Sequence, residues 1–185
     1  MVLFATKRFL PLFITQFLGA LNDNLLKNAL VMLITYRLAE SVDDPEFLVT
    51  LAAGIFMLPF FLFSATAGQV ADKYDRAKLT RIIKLFEIGI TVLASVGFYL
   101  SNVGLLMTTL FCMGVHSTFF GPIKYALLPQ HLRDDELLSG NGYIESGTFL
   151  AILLGAILGG LLIMQDSGIT FITLLLIAVA VGGYI

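Results

Sequence analysis

Gln16-Phe17-Leu18-Gly19-Ala20-Leu21-Asn22-Asp23-Asn24-Leu25-Leu26-Lys27-Asn28-Ala29-Leu30 is the stretch that decides the fold. Asn22, Asp23, Asn24, Lys27 and Asn28 sit in the middle of a run that otherwise suits a membrane span. A charge at the centre of a bilayer costs roughly 3 kcal/mol on insertion scales, so such residues face a cavity or a protein partner. Asp23 and Lys27 lie four apart and share a helix face, where they can neutralise each other. Two charges and three amides exceed what one pair needs, and the stretch is therefore expected to line a polar path. Asp23 falls about 22 Å along a helix that starts near Arg8, close to the bilayer midplane.

Outward from this stretch, composition sets the class. The chain is 58% hydrophobic and only 13% charged, more apolar than a soluble domain of 185 residues needs. Net charge is −2 with no basic tail, so nucleic acid is excluded as a partner, and membrane lipids are the expected surroundings. The single cysteine, Cys112, can form no internal disulfide and has no metal-ligand companions. His116 and His131 are not at metal spacing, and His116 and Cys112 suit a core. Paired carboxylates occur only in loops, and there is no Gly-x-Ser-x-Gly elbow. The glycines from Gly155 to Gly160 do not form a nucleotide loop, because no strand precedes them and no lysine follows. No enzyme site, metal or cofactor is expected.

Six apolar runs, at roughly 9–36, 47–71, 79–100, 104–128, 139–163 and 168–185, are each long enough to cross about 30 Å of hydrocarbon. The fold class is therefore an all-α membrane protein with six transmembrane helices. The first run is too long and too polar for a cleaved leader. Lys7 and Arg8 precede helix 1. Lys73, Arg76, Lys78, Arg81 and Lys84 cluster between helices 2 and 3 and in the first turn of helix 3, and Arg133 lies between helices 4 and 5. The opposite loops carry Arg37 with Glu40, Asp43, Asp44, Glu46 and Asp166. The basic side is expected to be cytoplasmic, which puts both chain ends there.

Pro59 inside helix 2 and Gly121-Pro122 in helix 4 predict kinks. Asp134-Asp135-Glu136 is expected to be a solvated loop, and Ser139-Gly140-Asn141-Gly142 to give turn or close-approach chemistry. Gly147, Ala151, Gly155, Gly159 and Gly160 place small residues on helix 5 for backbone-to-backbone packing. After helix 2 comes Gly68-Gln69-Val70-Ala71-Asp72-Lys73-Tyr74-Asp75-Arg76-Ala77-Lys78-Leu79. Here Gly68 is expected to permit close approach, and Arg76 and Lys78 to lie within reach of Asp72 or of anionic head groups. Lys124, four residues before the end of helix 4, and Glu145, six residues into helix 5, sit at similar depths on antiparallel helices and can pair.

The loop after helix 2 resembles the Gly-x-x-x-Asp-(Arg/Lys)-x-Gly-(Arg/Lys) signature of the major facilitator superfamily, with Asp75 where glycine is usual. Ala151-x-x-x-Gly155-Ala156-x-x-Gly159-Gly160 is similar to its antiporter motif, with alanine in place of proline. Helix 4 has Leu110, not arginine, four residues before Gly114, which argues against a typical proton-coupled drug exporter. Phe17 to Asn24, Gly121-Pro122-Ile123-Lys124-Tyr125 and Asn141-Gly142-Tyr143-Ile144-Glu145 look like the bacterial lysophospholipid transporter branch.

That resemblance implies a half transporter, the N-terminal six helices, returning lysophospholipid across the inner membrane for reacylation. Members are about twice this length, so the second half is expected to be missing. Alternatives are another major facilitator carrying drugs or metabolites, or the membrane domain of a lipid-remodelling fusion with downstream acyltransferase or acyl–acyl carrier protein synthetase domains. The expected substrate-binding residues are Asp23, Asn24, Lys27, Lys124 and Glu145. The expected gating residues are Gly68, Asp72, Lys73, Arg76 and Lys78, with Asp72 facing a helix of the second half.

Overall fold

The computed structural model describes residues 3–184. Six α-helices run in order: α1 (Leu10–Met32), α2 (Pro45–Lys73), α3 (Arg76–Tyr99), α4 (Val103–His131), α5 (Asp134–Ile163) and α6 (Gly168–Tyr184). A π-helical turn, Leu33–Arg37, extends α1. Four helices, α2 to α5, are long and apolar enough to cross a membrane by length and composition. In α1 the polar stretch lowers the hydropathy, and α6 is 17 residues long. The outward faces are oily: Phe61 is 85% exposed and Leu138 86%. In a soluble chain such faces would collapse or associate; in a bilayer they match the solvent.

Helix starts are set by side-chain caps, and these move two expected boundaries. Asp75 accepts a hydrogen bond from the Lys78 amide at 2.8 Å, so α3 begins at Arg76 rather than near residue 79. The residue that departs from the superfamily signature is thus an N-cap. Glu136 accepts from the Arg133 amide at 3.0 Å, so α5 begins at Asp134 rather than near residue 139. Asp134-Asp135-Glu136 is a first helical turn and not a loop, and Ser139 to Gly142 are helical. Negative charge there also suits the helix dipole. At this basic end Arg8 donates to the His131 carbonyl at 3.1 Å and to Glu136 at 3.4 Å, tying the start of the chain to the α4–α5 corner.

The main packing partners are α1 with α5, α2 with α4, and α3 with α4 and α6. Glycines make the first two possible. A Cβ on Gly155 would lie 2.7 Å from the Leu21 carbonyl oxygen, and one on Gly159 2.7 Å from that of Leu25. So α5 presses directly on the α1 backbone at the turn that carries Asp23. A Cβ on Gly114 would strike the Phe56 carbonyl and approach the ring of Pro59, so the proline of α2 packs on the glycine of α4. Gly160 makes only an ordinary 3.6 Å approach to Met32, so the expected glycine packing rests on Gly155 and Gly159. Leu25, Leu26, Leu30, Phe98, Leu106, Leu110 and Met113 fill the core toward the acidic end.

Candidate functional site

A cavity of about 300 Å³ opens between α1, α2, α4 and α5 at mid-helix depth. Its polar lining comes from Gln16, Asp23, Asn24, Lys27, His116, Ser117, Lys124 and Thr148, and Phe56, Met57 and Phe60 of α2 form an apolar wall. Four of the five expected substrate residues, Asp23, Asn24 and Lys27 of α1 and Lys124 of α4, therefore share one cavity.

Asp23 and Lys27 do not pair. Asp23 Oδ2 accepts a hydrogen bond from Ser117 on α4, and its Oδ1 is buried without a partner. Lys27 instead places Nζ 5.4 Å from the centre of the Phe56 ring, a cation–π contact. The intrahelical neutralisation is therefore ruled out in this conformation. Asn24 and Asn28 turn back onto backbone carbonyls one turn earlier, of Ala20 and Asn24, at 2.9 Å. Gln16 bridges to Thr148 on α5 at 3.0 Å.

Lys124 and Glu145 approach to 3.9 Å, and Tyr125 donates to the same carboxylate. The pair spans α4 and α5 at one rim of the cavity, with Lys124 mostly enclosed and Glu145 half-exposed. Lys124 belongs to the lining, whereas Glu145 acts on the cavity only through its contacts with Lys124 and Tyr125.

The loop between α2 and α3 lies apart, at the basic end. Asp72 and Lys78 are exposed, and no ion pair links Asp72 to Arg76 or Lys78 among the described residues. Arg76 donates to the Ala71 carbonyl at 3.3 Å, and Lys73 lies over the Tyr74 ring. No atom lies within 4 Å of a Cβ built on Gly68, so the close approach expected there is absent among the described residues. Asp72, Arg76, Gln130 and His131 line a shallow groove of their own.

Lys84 corrects a second expectation. It was grouped with the cations of the basic end, but it is fully buried and bonded to Glu87 three residues on. Glu87 also accepts from Asn22 at 2.7 Å and lies 3.1 Å from His116 Nε2. The Lys84 side chain fits because two neighbours are glycines. A Cβ on Gly183 would come within 2.9 Å of Nζ, and one on Gly19 within 3.4 Å. His116, expected only as a core residue, is buried but belongs to this cluster and also lines the cavity. Glu87 was not singled out from the sequence. An acid in the apolar run of a span, three residues after a lysine, was the available signal. Cys112 is half-buried and packs against the main core. Among the described residues, no group of three His, Cys, Asp or Glu side chains could hold a metal ion.

A cavity lined by a carboxylate and an ammonium about one turn apart, not paired with each other, can accept a small zwitterion, with an apolar wall for an attached chain. The profile of the Major Facilitator Superfamily matches residues 12–185. The lysophospholipid transporter LplT of Escherichia coli O1:K1 is 29% identical over 170 residues, 92% of this chain and 39% of the relative. LplT of Escherichia fergusonii is 29% identical over 149 residues, 80% of this chain and 35% of the relative. LplT of Salmonella paratyphi B is 27% identical over 157 residues, 85% of this chain and 36% of the relative. The chain thus spans about two fifths of the length of these curated relatives. No solved structure is a significant match. The helical architecture, the oily exterior and the profile match agree: this chain is a multi-pass membrane protein of the major facilitator superfamily.

Proposed function

We propose that the chain is the N-terminal, six-span half of a transporter that moves lysophospholipid across the bacterial inner membrane for reacylation, by alternating access in the full-length protein. The observation that carries this reading is Asp23: a carboxylate at mid-helix depth, in a cavity, with one oxygen unpartnered and no ion pair among the described residues. Intramembrane carboxylates of this kind mark substrate or ion sites. The names of the relatives supply the substrate class. In this reading Asp23 takes the head-group ammonium, Lys27 and Lys124 attract the phosphate, and Phe56, Met57 and Phe60 flank the acyl chain. Asn24 shapes the α1 wall, and Glu145 restrains Lys124. The basic end, with both termini, faces the cytoplasm, where Gly68, Asp72, Lys73, Arg76 and Lys78 meet the second half and set the conformational equilibrium.

Uptake of labelled lysophosphatidylethanolamine into spheroplasts, at matched membrane levels, tests the site. Asp23→Asn abolishes uptake, and adding Lys27→Met does not restore it. Full uptake in the double variant would sink the assignment. Labelling of cysteines introduced at positions 75 and 43 tests topology: position 75 reacts only from the cytoplasm and position 43 only from outside.

A further inference from the structure

The cations of the chain are not equally matched. Arg8 and Arg133 have Glu136, Lys124 has Glu145, and Lys84 has Glu87. Lys78 and Arg81 are exposed, and among the described residues their side chains make no ion pair and no hydrogen bond. The nearby acids are turned elsewhere. Asp75 caps α3, and both Asp72 and Asp75 line the groove with Gln130 and His131.

Beside these two cations the surface is apolar. Lys78, Arg81, Ile82, Leu85 and Gly89 follow the i, i+3, i+4, i+7, i+11 spacing of one helical face. Ile82 is 62% exposed and Leu85 53%, whereas Ile83, Lys84, Glu87 and Ile90 of the opposite face are buried. No atom lies within 4 Å of a Cβ built on Gly89, so the stripe carries a notch there. Tyr99 marks depth at the far end of the helix, being exposed and of the residue type that sits at membrane interfaces. At about 1.5 Å per residue, Arg81 lies about 27 Å from Tyr99, close to the thickness of the hydrocarbon. Lys78 and Arg81 therefore stand at the level of the lipid phosphates, at the end of a stripe that faces the lipid chains.

We propose that the start of α3 is a docking site for an anionic phospholipid of the surrounding leaflet, of the phosphatidylglycerol type. The Arg81 guanidinium offers a fork to two phosphate oxygens, and Lys78 adds a compact point charge. One acyl chain lies along Ile82 and Leu85 into the notch at Gly89. A zwitterionic head group fits less well, because its ammonium is repelled by the same two cations and no acid on the stripe receives it. Lys78 joins the loop proposed to meet the second half to this lipid-facing stripe. The site is separate from the cavity and does not depend on what the cavity carries.

The chain has no tryptophan, so a single one can report from the stripe. Leu85→Trp is placed beside the cations and Val96→Trp on the same face near the far end, in full-length protein with any tryptophan of the second half replaced by phenylalanine. Each protein is reconstituted into bilayers, and quenching by brominated phosphatidylglycerol, phosphatidylethanolamine and phosphatidylcholine gives the relative affinity at each position. At Leu85→Trp phosphatidylglycerol is favoured over phosphatidylcholine by at least about fivefold, the scale of one interfacial cation, and at Val96→Trp the two lipids are equal. High salt weakens the preference. Adding Lys78→Gln and Arg81→Gln brings the Leu85→Trp value down to that of Val96→Trp. Equal preference at the two reporters overturns the proposal, as does a preference that survives removal of both cations. Phosphatidylethanolamine bound as tightly as phosphatidylglycerol overturns the choice of an anionic head group.

Discussion

Two pairs of opposite charge lie close together on neighbouring helices and behave differently. Lys84 and Glu87, three apart on α3, bond to each other and are fully buried. Asp23 and Lys27, four apart on α1, ignore each other: one bonds to Ser117 and the other lies on Phe56. Spacing permits contact in both cases. Enclosure separates them. The ammonium of Lys84 is walled in by Gly19, Gly183 and Phe120, and only a carboxylate can compensate it there. Asp23 and Lys27 front a cavity, where each has an alternative and neither needs the other. A closed pair is structural, and an open one is free to meet a ligand.

The difference can be broken experimentally, beginning with the largest effect. Glu87→Gln leaves the Lys84 charge buried and uncompensated, a loss on the order of 3–5 kcal/mol. It is read as a fall in the fraction of protein that remains monodisperse on heating in detergent. Asp23→Asn, which breaks no ion pair, stays near wild type in the same assay, and equal losses for the two variants would erase the distinction. Next, Gly155→Val forces α1 away from α5. It costs about 1–3 kcal/mol through overpacking and displaces Asp23, so lysolipid uptake falls as well. Gly160→Val, facing only the Met32 side chain, is milder in both measurements. Smallest is Asp75→Ala, which removes the α3 cap and costs about 1 kcal/mol, while Asp75→Gly costs a few tenths. The size of that gap in thermal stability sharpens the role of the residue that replaces the usual glycine.

Six helices, the polar character of α1 and the Lys124–Glu145 approach were legible in the sequence, because each rests on periodicity or on matched depth along antiparallel helices. The cavity lining from α2 was not, since Phe56 and Met57 look like any other apolar residues of a span. Lys84 was misassigned because it follows Lys78 and Arg81 in one basic run, and a positive-inside count treats all of them alike. Only the tertiary fold shows that Lys84 turns inward between two glycines that are distant in sequence, Gly19 and Gly183. The loop 68–78 matched a signature by residue type; among the described residues Gly68 has open space beside it and Asp72 makes no ion pair with Arg76 or Lys78, and the partner expected for Asp72 was a helix of the second half. Helix-start boundaries shifted because Asp75 and Glu136 cap their helices from positions that composition alone assigns to loops.

The closed pair on α3 also bears on how the chain is made. Synthesis delivers helices from the N-terminus onward, so α3 reaches the bilayer before Ser117 of α4 or Gly183 of α6 exists. Lys84 brings its own counter-ion within one turn of the same helix, and the segment crosses without waiting for a later one. Asp23 has no such companion in contact, and its hydroxyl partner emerges roughly ninety residues later. In the folded chain, then, the carboxylate of α1 is met by a hydroxyl from a helix made later, whereas the charges of α3 are met within one turn of their own helix.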